Sequence, residues 1–237
     1  MKLSISKRLS KIAEFVPQGA RVADIGCDHG YLGIHLLLNR KASYVVASDL
    51  NELPLDSARR NAAKFGVAGD MSFVCADGLR GIEPDSADTL VCAGMGGEVM
   101  RKILARAPWV KDRRYTLILS PQSVTGEFRA WLREEGFDAM AEYPVFEDGH
   151  YYLILVVCYA GEQTRLTPGE RYLSRQMLES GSPDLDGYCE YILSSLQKAI
   201  SGMEQGKNLN PKLSELITAR NEILEMRNLY GNGKTDR

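Results

Sequence analysis

Between Arg21 and Tyr31 the chain reads Arg-Val-Ala-Asp-Ile-Gly-Cys-Asp-His-Gly-Tyr. Val22, Ala23 and Ile25 form a short apolar run that leads into two closely spaced glycines. Tyr31 to Leu38 follows, rich in apolar residues and without Pro or internal Asp. That order spells a buried strand, a tight turn and a helix. Gly26 and Gly30 let the backbone come near a ligand that a Cβ would strike, and the first turn of the helix offers it unpaired N–H groups. An ordinary strand–helix turn with nothing bound is the alternative.

The spacing is not G-x-G-x-x-G. Gly26-Cys27-Asp28-His29-Gly30 lacks the middle glycine that a pyrophosphate needs, and Asp24 and Asp28 would repel its charge. The turn suits a ligand that joins an adenosyl part to a cationic centre. S-adenosylmethionine, with its sulfonium and α-amino group, is such a ligand.

Strands and helices alternate from there. Lys7 to Phe15 reads as a short helix that Lys2, Lys7, Arg8 and Lys11 make basic. It is either a solvated face over the sheet edge or an RNA contact. Tyr44 to Ala47 is a second strand ending in Asp49, roughly 20 positions beyond Asp28, where a doubly wound fold places a ribose-binding acid. A cap on the next helix, Leu55 to Phe65, is the other reading of Asp49. Met71 to Cys75 runs into Ala76-Asp77-Gly78, where Asp77 either accepts from an adenine amino group or makes an Asp-Gly turn. Thr89 to Cys92 empties into Ala93-Gly94-Met95-Gly96-Gly97, a backbone that bends sharply or is approached closely. A helix over Glu98 to Ala107 opens the basic run Arg101 to Arg114, and a charge run is usually a wet face. Tyr115 to Leu119, Ser120-Pro121-Gln122 and a helix over Glu127 to Glu135 follow. Phe137 to Phe146 and Tyr151 to Tyr159, joined by Glu147-Asp148-Gly149, form a hairpin.

This alternation predicts an α/β fold, a doubly wound, Rossmann-like, mostly parallel sheet with an antiparallel last strand. Ligands of such sheets lie at the carboxyl ends of the strands, where Asp24, Asp28, Asp49, Asp77, Gly94 and Gly96 converge. The texture turns helical after Gly161. Thr167-Pro168-Gly169-Glu170 reads as a helix start, and apolar stripes run from Tyr188 to Met203 and from Leu213 to Leu224 across Asn208-Leu209-Asn210-Pro211. They suggest an antiparallel coiled-coil hairpin or helices packed on the main domain. Gly231 to Arg237 looks frayed. The division expected is 1–161 for a cofactor-binding catalytic domain and 162–237 for a helical appendage.

Composition narrows the function classes. Of 237 residues, 44% are hydrophobic, enough for a sizeable core, and the net charge of −2 leaves nucleic-acid contact to local basic clusters. No run approaches the ~18 apolar residues of a membrane span, and no secretory h-region follows Met1. Five scattered cysteines without C-x-x-C and only three histidines point to a reduced, cytoplasmic protein with no metal site.

Taken together, the residues resemble the bacterial tRNA (adenine-22, N1) methyltransferases, enzymes of the class I S-adenosylmethionine-dependent fold. The likeness rests on Ser6-Lys7-Arg8-Leu9, Ala23-Asp24-Ile25-Gly26 with Asp28-His29 and Tyr31-Leu32, Ala93-Gly94-Met95-Gly96-Gly97, Glu147-Asp148-Gly149 with Tyr152, and the helical tail. Cys27 stands where the family often has Ser or Thr, Gly33 where it has Pro, His150 where it has Lys and Leu153 where it has Glu.

The resemblance implies methyl transfer to adenine N1 of tRNA, with Asp28 as the catalytic carboxylate; as helix N-cap it would have a bland role instead. The cofactor set expected is Asp24, Gly26, Cys27, Asp49, Leu50, Asp77, Gly78, Ala93, Gly94 and Met95. For the tRNA it is Lys7, Arg8, His29, Gly96, Gly97, Arg101 and Tyr152. The Asn-Pro-Pro-aromatic signature of N6 enzymes is missing after the fourth strand. A methyltransferase acting on another RNA position, a small molecule or a protein would share the same cofactor turns. The expected state is a monomer without membrane or metal.

Overall fold

The computed structural model describes residues 3–205 and 212–232. In chain order the elements are α1 (Lys7–Phe15), β1 (Ala20–Ile25), α2 (Tyr31–Leu38), β2 (Ala42–Asp49), α3 (Glu52–Phe65), β3 (Met71–Cys75), β4 (Thr89–Ala93), α4 (Gly97–Ala105), β5 (Thr116–Ser120), α5 (Thr125–Glu134), β6 (Phe137–Glu147) and β7 (His150–Tyr159), then α6 (Arg175–Leu178), α7 (Leu185–Glu204) and α8 (Lys212–Asn232).

The strands make one seven-stranded sheet in the order β3-β2-β1-β4-β5-β7-β6. All neighbours are parallel except β7, which runs antiparallel to both β5 and β6. The Asp148-Gly149 turn, with φ of +49° and +80°, closes that hairpin as its dipeptide predicts.

Both faces of the sheet are covered, so its central strands read as continuous apolar runs. Their period of two divides the core. Val22, Val45, Val91, Ile118 and Ile154 point to the side of α1, α2 and α3, against Ile12, Ile34 and Leu55. Ala23, Ile25, Leu90, Leu117 and Leu155 point the other way, against Met100 of α4, Phe128 and Leu132 of α5, and Tyr188 and Leu196 of α7. At about 25 cal/mol per Å² of apolar area removed from water, these layers dominate the stability. No described helix is long and apolar enough to cross a membrane.

The tail differs from its sequence reading in one place. Thr167 to Glu170 starts no helix, although the two residues exchange the expected capping bonds, Thr167 N–H to Glu170 Oε2 at 2.8 Å and Glu170 N–H to Thr167 Oγ1 at 3.3 Å. Arg129 Nη1 donates to the Glu170 carbonyl, the acceptor that a continuing helix would offer to Ser174 N–H, and Glu222 Oε2 accepts from Gly169 N–H at 2.6 Å. Helix resumes only at Arg175.

The two long helices lie antiparallel: Arg220 Nη1 donates to Gln197 Oε1 at 3.0 Å, while the charge of Arg227 reaches Cys189 further down α7. Both alternatives for them hold in part, because Tyr188, Cys189 and Leu196 of α7 and Ala219 and Ile223 of α8 also join the sheet core. The connection at Asn208 to Pro211, Lys2, and the chain after Asn232 lie outside the described residues; α8 itself runs through Gly231.

Candidate active site

The strand order reverses between β1 and β4, the position where doubly wound sheets open a crevice. A cleft of about 320 Å³ lies there, walled by the turn after β1, the turn after β4 and the first helix. Asp24, Gly26, Cys27, Asp28, His29, Ala93 and Gly94 line it together with Arg8.

Asp24 ends 4% exposed, and its Oδ2 is buried without a hydrogen-bond partner. Burial first, then the charges of Asp28 and Asp49, push its carboxyl from 3.8 up to about 7. Cys27 beside it is pushed up by burial and by the same acids, so its thiol stays protonated and unreactive.

Gly26 and Cys27 donate to the Ser48 carbonyl at 2.8 and 2.9 Å, which ties the turn to the end of β2. Gly26 has φ of +73°, and the Met95 thioether methyl occupies the place a Cβ would take. Asp28 holds the left-handed region at φ +52°, uncommon outside glycine. It does not cap α2, whose N-cap is Gly30. Its side chain is 74% exposed at the rim, with Oδ1 3.5 Å from His29 Nε2.

Other expected residues fall elsewhere. Asp49 accepts the Asn51 N–H at 3.0 Å but does not cap α3, which opens at Glu52 with Asn51 as its N-cap. Leu50, 64% exposed, lies beside it, past the cleft wall. Asp77, expected on an adenine amino group or in an Asp-Gly turn, accepts from Arg106 Nη1 at 3.2 Å in an exposed pair and lines a separate 50 Å³ cavity. Gly78 serves packing, since a Cβ would stand 2.7 Å from Ile103 Cγ1 on α4.

The three glycines after β4 divide by role. Gly94, at φ +93°, faces open space, with Gln122 Nε2 3.9 Å from the position of a Cβ. Gly96 and Gly97, expected to make room for a base, are already filled: their Cβ atoms would meet Ser123 Oγ at 2.8 Å and Phe128 Cβ at 2.9 Å.

The basic clusters are not free charge. Lys7 Nζ binds Asp184 Oδ2 at 2.6 Å and the Phe146 carbonyl at 3.2 Å. Arg8 lies over the Tyr152 ring, 4.9 Å from its centre. Arg101 binds Glu98 at 2.8 Å, Lys111 binds Glu135 and Arg114 binds Asp85. Surface pairs of this kind contribute about 0–1 kcal/mol, so a phosphate can displace them.

The sequence reading passed over Ser48 and Ser120, buried hydroxyls without partners at the ends of β2 and β5, and Asn61, which holds the His29 carbonyl at 3.0 Å. A serine at or next to the last position of an apolar strand was the available signal for the first two. Among the described residues no group of His, Cys, Asp or Glu is placed to hold a metal ion.

A cationic, adenosyl-bearing ligand fits this cleft on its own chemistry. The orphaned Asp24 oxygen asks for a positive partner, and Gly26 and Gly94 keep the backbone bare around it.

A family model for methyltransferase domains matches residues 5–155. The chain is 38% identical over 155 residues to the tRNA (adenine(22)-N(1))-methyltransferase of Bacillus subtilis, an alignment that spans 65% of this chain and 65% of that protein. It superposes on the crystal structure of the B. subtilis M1A22 tRNA methyltransferase TrmK with a TM-score of 0.82 and 30% identity, covering 94% of this chain and 99% of the other. Streptococcus pneumoniae Sp1610, solved with S-adenosyl-L-methionine, matches with a TM-score of 0.79 and 30% identity over 93% of this chain and 100% of its own.

Proposed function

The chain belongs to the family of methyltransferase domains, and from that premise we propose that it methylates N1 of adenine 22 in tRNA, using S-adenosylmethionine. The observation that carries this reading is the near full-length likeness to the B. subtilis m1A22 enzyme, helical tail included. The cleft at the strand ends supports it independently.

Bound S-adenosylmethionine supplies a methyl group already activated by its sulfonium. What the chain must do is hold, align and stabilise. Asp24 pairs with the ammonium of the cofactor, and that cation draws its carboxyl back to the charged form. Asp49 offers its second oxygen to ribose hydroxyls. Gly94 leaves the face of the acceptor base unobstructed.

Adenine N1 carries a free lone pair at neutral pH, so no base is needed to create the nucleophile. As positive charge grows on the ring, the Asp28 carboxylate at the rim stabilises it or accepts an N6 proton afterwards. N1 lies on the Watson–Crick edge, so a paired adenine must leave its stack at a cost of about a few kcal/mol. His29 and Tyr31 are flat side chains that line the cleft, and Tyr152 lies against Arg8 at its wall. Residues 1–161 carry this chemistry and 162–237 form the appendage. The working location is the cytoplasm, with the chain a monomer.

The test is direct. Unmodified tRNA incubated with the protein and S-adenosylmethionine should stop reverse transcriptase at position 22, because N1 methylation blocks pairing. Methyl incorporation without that stop would remove the N1 assignment, and no incorporation at all would remove the enzyme.

A further inference from the structure

The strand order seats β4 between β1 and β5, so the turn after β4 has the β1 turn on one side and the β5 turn on the other. Gly94 of the middle turn lines the cleft, with Asp28 at its rim on the β1 side. The β5 turn, Ser120-Pro121-Gln122-Ser123-Val124, is pinned to the glycine turn by three backbone bonds. Gly94 N–H donates to the Ser120 carbonyl at 3.3 Å, Gln122 N–H to the Met95 carbonyl at 2.9 Å and Gly97 N–H to the Ser123 carbonyl at 3.0 Å. Val124 closes the turn in the left-handed region, at φ +47°. A β-branched residue is strained there, and such strain persists only where the surroundings impose it, most often at functional sites.

Two polar side chains of this pinned turn find no partner among the described residues. Ser120, paired in register with Ala93 of the cleft wall, has a buried hydroxyl without a hydrogen bond. The Gln122 amide is exposed and unbonded, its Nε2 3.9 Å from the place a Cβ on Gly94 would take. A primary amide carries a donor and an acceptor side by side. That pattern complements the N7 acceptor and N6 amino donor of adenine, whereas guanine shows two acceptors along the same edge.

We propose that Gln122 selects the acceptor base, its Oε1 accepting from the adenine N6 amino group and its Nε2 donating to N7. The inference rests on the tRNA-adenine reading above and deepens it. An amide on N6 and N7 leaves N1 uncovered on the far side of the amino group, where the methyl must arrive. The second N6 proton lies on that N1 side and remains available to Asp28, so the turns flanking Gly94 share the amino group between them.

Single-turnover methylation of tRNA carrying 7-deazaadenine at position 22 tests this, because that base keeps N1 and N6 and lacks only the N7 acceptor. The unaltered protein should be about 10-fold slower on it, the scale of one donor left unpaired. Gln122→Ala should lose about 10- to 100-fold on ordinary tRNA, the scale of a bidentate base contact, and should treat the two tRNAs alike. Gln122→Glu keeps an acceptor for N6 but sets a second oxygen against the N7 lone pair, so it should prefer the deaza base. S-adenosylhomocysteine affinity and unliganded melting temperature should stay the same in both variants. Full activity of Gln122→Ala, or undiminished discrimination by it, would overturn the assignment, as would equal use of both bases by the unaltered protein. A fall in S-adenosylhomocysteine affinity as large as the fall in rate would also overturn it, by moving Gln122 to the cofactor. Failure of the unaltered protein to methylate any tRNA adenine would bring down the substrate reading, and this one with it.

Discussion

Arg129 and Glu142 meet through two parallel hydrogen bonds, Nε to Oε1 at 2.9 Å and Nη2 to Oε2 at 2.8 Å, in side chains only 5% and 4% exposed. The remaining groups of the pair reach into the tail: Arg129 Nη1 donates to the Glu170 carbonyl and the Ser174 hydroxyl donates to Glu142 Oε2. One fork therefore joins α5, β6 and the segment that leads to the helical appendage. Breaking a buried pair strands a charge in a poorly solvated site. Arg129→Met should destabilise the fold by about 3–5 kcal/mol in urea titration. The double variant Arg129→Met with Glu142→Leu should recover much of that loss; if it is no more stable than the single one, the stranded charge is not the cause.

The acid at the end of β1 makes unliganded stability depend on pH. Asp24 is raised from 3.8 to about 7 in the fold, so between these values the folded state binds the proton that the unfolded state has released. Stability is full below the lower value and falls as pH rises through the upper one. The loss by pH 8 is on the order of 4 kcal/mol. Asp24→Asn should flatten the melting temperature across that window and exceed the parent in stability at pH 8. It should also bind S-adenosylhomocysteine weakly at every pH, for want of the charge. A variant less stable than its parent at pH 8 without ligand would contradict this account.

Asp28 projects from a left-handed turn at the mouth of the cleft and leaves the capping of α2 to Gly30. Asp28→Ala should therefore keep cofactor affinity nearly intact and lower single-turnover methyl transfer by about 10² or more, the range of one acid–base or electrostatic group. An unchanged rate would free Asp28 of any part in the chemistry.

Gly97 begins α4 against the β5–α5 connection, where a Cβ would lie 2.9 Å from both Phe128 Cβ and the Ser123 carbonyl. Overfilling such a contact costs about 1–3 kcal/mol. Gly97→Ala should show that loss on chemical unfolding, whereas alanine at Gly69, with nothing within 4 Å, should leave stability nearly unchanged. Equal effects at the two sites would mean the connection yields freely.

If tRNA docks on the basic face of α4 and the loop after it, its affinity should fall steeply with salt, by a log–log slope of about 0.7–0.9 for each phosphate contacted. Lys7→Ala should leave that slope unchanged if the contacts are confined to this face, because Lys7 stands on α1 beside Asp184. Filter binding at two or more salt concentrations reads both quantities, and salt-independent affinity would remove the phosphate contacts.

Much of the fold was legible because its signals are local. Strands buried on both faces announce themselves as apolar runs such as Val45 to Ala47. The Asp148-Gly149 hairpin is a matter of which residues tolerate positive φ. The place of Gly26 and Gly94 at one mouth follows from strand polarity alone, since the parallel strands β1 and β4 end together. Legibility failed where a residue had two local uses and only a distant neighbour chose between them. Glycines 94, 96 and 97 are one motif in sequence, yet Ser123 and Phe128 fill the space at two of them. Thr167 to Glu170 carries a good capping box, but Arg129 holds the Glu170 carbonyl that would have extended the helix.

By itself, then, the sequence determined the alternation of strand and helix, the hand-over at each glycine turn and the acids at the strand ends, because hydrophobic period and backbone freedom belong to residues and their near neighbours. Tertiary structure alone decided which charges found partners. It gave Lys7 to Asp184 and Arg129 to Glu142 while leaving Arg8 and Asp24 unpaired across one cleft, because electrostatic pairing depends on distances through space that no spacing along the chain encodes.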